Sequence, residues 1–214
     1  MWFSIETSSR HVSLALGEGD ACLREVARGG NASLLVEPLF RELDVDFSKL
    51  DLCVIGQGPG SYNGMRVGYA FLKGMICLHP LPVVQIPTPL TLALQAQAIM
   101  KNSGTASFLI LNNARREEIY AALVELSDGK PSLQWDFIGS EASVRERLPV
   151  HLDAIVSSDY TAADLPTFSA HRWLSIFPSA AVTGQLAGLL NAPASSDLSR
   201  LEPRYVRPPV PEKI

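Results

Sequence analysis

The sequence predicts an α/β protein of two lobes, and three observations predict it. Short apolar runs broken by Gly, Ser and Asp open the chain as strands. Apolar positions at helical spacing follow them. The order strand, strand, strand, helix, strand, helix then occurs in each half, a duplication of pattern rather than of residue identity. With 214 residues, 47% hydrophobic and 19% charged, the chain can bury a core as one domain or as two compact lobes.

In chain order, Trp2 to Glu6, Val12 to Leu16 and Cys22 to Ala27 read as an antiparallel meander, separated by Thr7-Ser8-Ser9-Arg10 and Gly17-Glu18-Gly19-Asp20. Asn31 and Ser33 supply capping chemistry for a helix carrying Leu34, Leu35, Leu39, Phe40 and Leu43. Pro38 falls inside that pattern, so the helix kinks there or starts late. Asp51 to Gly56 is a short buried strand that runs straight into a glycine turn. From about Asn63 to Leu78 the residues Met65, Val67, Tyr69, Phe71, Leu72, Met75, Ile76 and Leu78 make a helix apolar on more than one face. Such a helix has to be covered on more than one side. Gly68, Ala70 and Gly74 permit close backbone approach. Pro82 to Ile86 reads as a strand and Pro89 to Met100 as a helix.

The polar break Lys101-Asn102-Ser103-Gly104-Thr105 divides an N-terminal lobe, residues 1–102, from a C-terminal lobe, residues 103–214. Beyond it, Ser107 to Asn112 and Ile119 to Leu126 form the arms of a hairpin, and Leu133 to Ile138 is a third strand. A helix from Glu141 to Leu148 capped by Ser140, a strand Ala154 to Ser157 and a helix Ser179 to Leu190 complete the lobe. The proline-rich end from Pro203 to Pro211 cannot continue a helix and reads as an extended tail or partner arm.

Composition excludes several functions. The net charge is −4, and Lys and Arg do not gather into a stripe, so the chain is a poor stand-alone binder of RNA or DNA. No window is long and apolar enough to cross a bilayer, and no secretory leader is visible, so the expected location is the cytosol. Cys22, Cys53 and Cys77 lack the paired spacing of a zinc or redox site and read as small buried hydrophobes. His11, His79, His151 and His171 form neither HxxxH nor HExxH, so no bound catalytic metal is expected.

The strongest local signal is Gly56-Gln57-Gly58-Pro59-Gly60-Ser61-Tyr62-Asn63-Gly64-Met65-Arg66-Val67-Gly68. Glycines at a strand-to-helix junction let the backbone turn sharply and aim the free N–H groups of the helix start outward, so the segment is an anion site or a tight packing turn. It lacks the Lys of a P-loop, and three residues separate Gly60 from Gly64 where a dinucleotide fingerprint needs two. Ser61 has neither the GxSxG elbow nor a neighbouring His that would make it a nucleophile. Glu6, Thr7 and Ser8 after the first strand are weak cofactor candidates, since an acidic residue followed by hydroxyls handles phosphate and magnesium in actin-like ATPases. There an Asp usually leads; a polar turn is the plainer reading here. Arg115-Arg116-Glu117-Glu118 reads as a solvated turn.

Four segments, in order, resemble one family, the bacterial TsaB (YeaZ) proteins, relatives of the TsaD/Kae-type subunits in the actin and sugar-kinase fold. Ser4-Ile5-Glu6-Thr7-Ser8 resembles the family's I-D-T-S, and Gly58 to Gly68 its G-P-G-S-F-T-G-x-R-x-G. Asn113 to Tyr120 resembles D-A-R-x-x-E-x-Y, and Glu202-Pro203-Arg204-Tyr205-Val206-Arg207-Pro208 the terminal P-x-Y-x-R. The resemblance implies an actin-like ATPase superfamily fold of two ribonuclease-H-like lobes, each a mixed sheet with helices. It implies a non-catalytic subunit of the complex that places threonylcarbamoyl on the adenosine beside the anticodon of certain tRNAs.

In that family the partner is TsaD, which carries the HxxxH and the active site; TsaE, an ATPase, joins the pair, and tRNA is reached only through the complex. The resemblance implies pairing through the helices at about Asn31 to Leu43 and Asn63 to Leu78, with a partner interface at Leu35, Leu39, Gly58, Pro59, Gly60, Ser61, Gly64, Arg66, Val67, Gly68, Phe71 and Met75, and a homodimer through the same apolar helix, Asn63 to Leu78, when the partner is absent. No cofactor of its own is expected, with any ATP at a subunit boundary. Glu6 and Asn113 stand where the family has Asp, and a common family His is replaced around Asn31. Losing two carboxylates weakens an ATPase reading. The competing functions are an independent small-molecule kinase or ATPase of the superfamily and, least favoured, a peptidase.

Overall fold

Alternation along β1 (Trp2–Glu6) organises the first sheet: Phe3 and Ile5 point to one face and Trp2 and Ser4 to the other, and all are buried. The computed structural model describes residues 1–101 and 104–206. β1 lies between β2 (His11–Glu18), to which it is antiparallel, and β4 (Leu52–Gly58), to which it is parallel. β3 (Ala21–Gly29) pairs with β2, and β5 (Val83–Pro87) pairs parallel with β4, giving the order β3-β2-β1-β4-β5.

α1 (Ala32–Leu43) and α2 (Tyr62–Leu78) cover the face carrying Phe3, Ile5, Leu14, Cys53 and Ile55. Asn31 caps α1 by accepting from the Ser33 N–H. Pro38 lies inside α1, and the helix neither stops nor starts late. The carbonyl it deprives of a donor belongs to Leu34, a residue 72% exposed. The two helices lock through Phe40, whose ring meets Phe71 at 5.0 Å and Phe3 at 5.6 Å.

The second sheet repeats the first. β6 (Ala106–Asn113), β7 (Ile119–Ser127) and β8 (Lys130–Gly139) are antiparallel, while β9 (Ala154–Ser157) runs parallel to β6 and β10 (Trp173–Ser175) parallel to β9. The order β10-β9-β6-β7-β8 is that of the first sheet, strand for strand. α4 (Glu141–Arg145), capped by Ser140, ends before the expected Leu148. Between β9 and β10 a 3-10 turn, Pro166–Phe168, stands where the first sheet has α2, and the fully buried Phe168 fills the space. β10, only three residues long, has too little pattern to be read from the sequence.

Helices cross between the sheets. α3 (Thr88–Met100) packs on β6, β7 and β8, whereas α5 (Ala180–Leu189) packs on β1, β2 and β4. Their contact is stitched by Thr91 and Thr183, whose hydroxyls meet at 3.1 Å. Around them lies a core drawn from both sheets, including Trp2, Val54, Ile86, Phe108, Ile110 and Val156. Asn102 and Ser103 of the polar break, and the tail from Arg207 onward with its prolines, lie outside the described residues.

Candidate functional site

The carboxyl ends of the parallel strands β1, β4 and β5 bring together Glu6, Gly58 and Thr88, the place where open α/β sheets gather their functional groups. Glu6 is wholly buried; its Oε1 accepts from the Ser8 N–H at 2.8 Å. The Thr88 hydroxyl accepts from the Gly58 N–H at 3.1 Å and turns its own proton towards Ser8 Oγ at 3.2 Å and Glu6 Oε2 at 3.4 Å. Burial pushes the Glu6 carboxyl above its ordinary 4.5, and hydrogen bonds from Ser8 and Thr88 partly offset this. Thr88 was not among the residues the sequence singled out; as the first residue of a helix it reads only as a helix start.

The glycines of Gly56 to Gly68 close over the Glu6–Ser9 turn. A Cβ at Gly56 would fall inside the Glu6 carboxylate, one at Gly60 on the Ser8 carbonyl, one at Gly64 on the Thr7 carbonyl and one at Gly68 on the Thr7 hydroxyl. Gly58 sits at φ 84, a conformation open to glycine, and its peptide to Pro59 is cis. The Ser61 N–H donates to Ser8 O at 2.6 Å, while the Ser61 hydroxyl caps α2 by accepting from Gly64 N–H at 3.2 Å. Glu6, Thr7 and Ser8 are all buried as a result.

The expected partner residues divide by side. Leu39, Gly58, Gly64, Gly68 and Met75 are turned into the interior; Leu35, Pro59, Val67 and Phe71 are half-buried; Gly60, Ser61 and Arg66 are exposed. The outer face of α2 carries Arg66, Ala70, Gly74, Cys77 and Leu78, the last 79% exposed. Cys77 is therefore a surface residue rather than a buried hydrophobe, because its helical position is that of the exposed Arg66, Ala70 and Gly74 and lies off the inward stripe of Leu72, Met75 and Ile76. Cys53 fits that reading: burial pushes its thiol up to about 12.

At the corresponding end of β6, Asn113 accepts from the Arg115 N–H at 2.7 Å and donates its own N–H to Asp159 at 2.9 Å. Arg115, Arg116 and Glu117 are exposed and adopt φ of 67, 55 and 61 in succession. The solvated turn expected here is what forms, and its three successive non-glycine residues in the left-handed region make it a strained one. Among the described residues no His, Cys, Asp or Glu group gathers where it could hold a metal ion, and no helix is long and apolar enough to cross a membrane.

Residues 30–133 match the family model described as TsaD: tRNA N6-adenosine threonylcarbamoyltransferase. Curated relatives named tRNA threonylcarbamoyladenosine biosynthesis protein TsaB come from Haemophilus influenzae, 27% identical over 148 residues, and Bacillus subtilis, 28% identical over 132 residues. A third, from Escherichia coli, is 26% identical over 88 residues. The chain is similar to the TsaB (YeaZ) proteins. The matches cover 64%, 59% and 41% of this chain and span 61%, 56% and 37% of those TsaB proteins, respectively. Among solved structures, YeaZ from Pseudomonas aeruginosa superimposes with a TM-score of 0.77 at 20% identity, covering 95% of this chain and 98% of that one. A second, described as an uncharacterized protein similar to peptidase YeaZ, gives 0.74 at 22% identity and covers 96% and 99%. The fold is that of these YeaZ structures: two five-stranded mixed sheets, each with helices.

Proposed function

We propose that this TsaB relative is a non-catalytic subunit in tRNA threonylcarbamoyladenosine biosynthesis, acting by pairing with a TsaD homologue through the outer side of α1 and α2. One observation carries the reading: the glycine turn is consumed in packing on the Glu6–Ser9 turn, while the outer face of the helix it launches stays open to solvent. A phosphate-handling site needs accessible donors, whereas a turn that fixes a helix needs buried ones. The names of the curated relatives support the pathway. The reading includes a TsaE homologue as a further partner, tRNA reached only through the complex, a homodimer in isolation, any ATP at a subunit boundary, residence in the cytosol and lobes of residues 1–102 and 103–214.

The test is a binding measurement with the TsaD homologue of the same organism. Gly74 is exposed and a Cβ there meets nothing within 4 Å, so Gly74→Asp leaves the fold intact. It is expected to weaken the complex at least tenfold, about 1.4 kcal/mol, by placing a charge in the interface. Wild-type protein that forms no complex at micromolar concentration overturns the proposal. Nucleotide turnover by the isolated chain, lost in Glu6→Ala, would establish the kinase or ATPase alternative instead.

A further inference from the structure

Beyond α5 the chain forms no further long element, yet it is tied down along its length. Ser195 and Val83 exchange backbone hydrogen bonds of 2.9 Å, which adds a bridge to the free edge of β5. The Arg200 carbonyl accepts from Gln85, itself held by the Tyr69 hydroxyl at 2.7 Å, and Leu201 is buried in the core beneath α1 and α2. At Arg204 the segment passes from one sheet to the other. Its N–H donates to Gln57 O of β4 at 2.9 Å, and its guanidinium reaches Asp136 of β8 at 2.8 Å. The second Asp136 oxygen accepts from the Tyr120 hydroxyl at 3.0 Å. The Asp136 side chain is only 11% exposed, so the pair is mostly out of water, and loss of Arg204 would strand a largely buried carboxylate. One residue on, Tyr205 lies against Tyr62 at 5.4 Å, and Arg66 stacks over the Tyr62 ring at 5.3 Å.

We propose that residues 195–206 are a strap that latches the two sheets at a set separation through Arg204 and Asp136, and that the latched strap poses the Tyr62–Arg66–Tyr205 corner beside the open face of α2. The latch acts within this chain alone. Only its consequence for a partner rests on the proposed pairing with a TsaD homologue. A helix and its first turn are positioned by what packs at their start; here the strap holds the end of β4 at Gln57 and meets Tyr62, the first residue of α2, through Tyr205.

Hydrogen exchange on the full chain tests the latch in wild type, Arg204→Met, Asp136→Asn and the double variant. Each single variant is expected to speed exchange at least tenfold both in the Gln57–Ser61 turn and around Asp136 in β8, with the double variant no faster than either single. Faster exchange confined to residues 195–206, or two single effects that add, would sink the proposal. Tyr205→Ala keeps the ion pair and guards against general unfolding: protection at Asp136 has to persist in it. In binding to the TsaD homologue, Tyr205→Ala and Arg204→Met are each expected to weaken the complex tenfold, and unchanged affinity removes the corner from the proposal. If the wild type itself does not bind, the pairing fails while the exchange result still decides the latch.

Discussion

Glu6 is a carboxyl enclosed by glycine backbone, and its titration should be visible in stability. Because burial raises its pKa above the ordinary 4.5, the folded chain holds that proton more tightly than the unfolded chain. Its contribution is present in full below the ordinary value and is lost as pH rises through the raised one. The exposed Asp46, Asp164 and Asp197, which local hydrogen bonds hold below the usual carboxylate range, act in the opposite sense. The difference between wild type and Glu6→Gln isolates Glu6: denaturant melts should show the variant gaining on the wild type as pH rises from about 4 to 8. A constant difference across that range would refute the assignment. Gly60 offers a steric counterpart. Its missing side chain would strike the Ser8 backbone, which cannot rotate away, so Gly60→Ala is expected to cost about 1–3 kcal/mol.

α2 joins two requirements in one element. Its inner stripe, Met65, Tyr69, Leu72, Met75 and Ile76, anchors it to the first sheet, and Gly64 and Gly68 let it sit against the Thr7 backbone and side chain. Gly74 lies on the opposite side, in open surroundings. Gly74→Ala is therefore expected to stabilise the isolated protein by about 0.5–1 kcal/mol, the ordinary gain of Ala over Gly in an exposed helix. The contrast with Gly60→Ala, read by the same melts, separates glycines kept for packing from one that the fold does not need. α1 makes a related point: the carbonyl that Pro38 deprives of a donor belongs to Leu34, on the exposed side of the helix.

At the scale of the molecule, the exchange of α3 and α5 means that neither half covers both faces of its own sheet. Residues 1–102 expressed alone would leave the α5-covered face of β1, β2 and β4 bare, and residues 103–214 would leave β6 to β8 without α3. Each half is expected to be insoluble or molten by itself and to fold when both are co-expressed, as followed by solubility and far-UV dichroism; a folded lone half would overturn this. Most of the strands and helices were legible in the sequence because their cause is local: alternation in β1, helical spacing with a cap at Asn31, glycines at the β4 to α2 junction. So was the likeness to the TsaB proteins, since the motifs that carry it are contiguous strings. What stayed hidden depends on residues far apart in the chain meeting in space. Thr88 against Glu6, the crossing of α3 and α5, the burial of Leu39 and Met75, and Arg204 spanning Gln57 and Asp136 are such meetings. Periodicity tells a helix that it has an inner face but not which sheet supplies the cover, so the elements and the likeness to TsaB follow from the sequence alone. The closing of the glycine turn, the open face of α2 and the strap were decided only by tertiary packing.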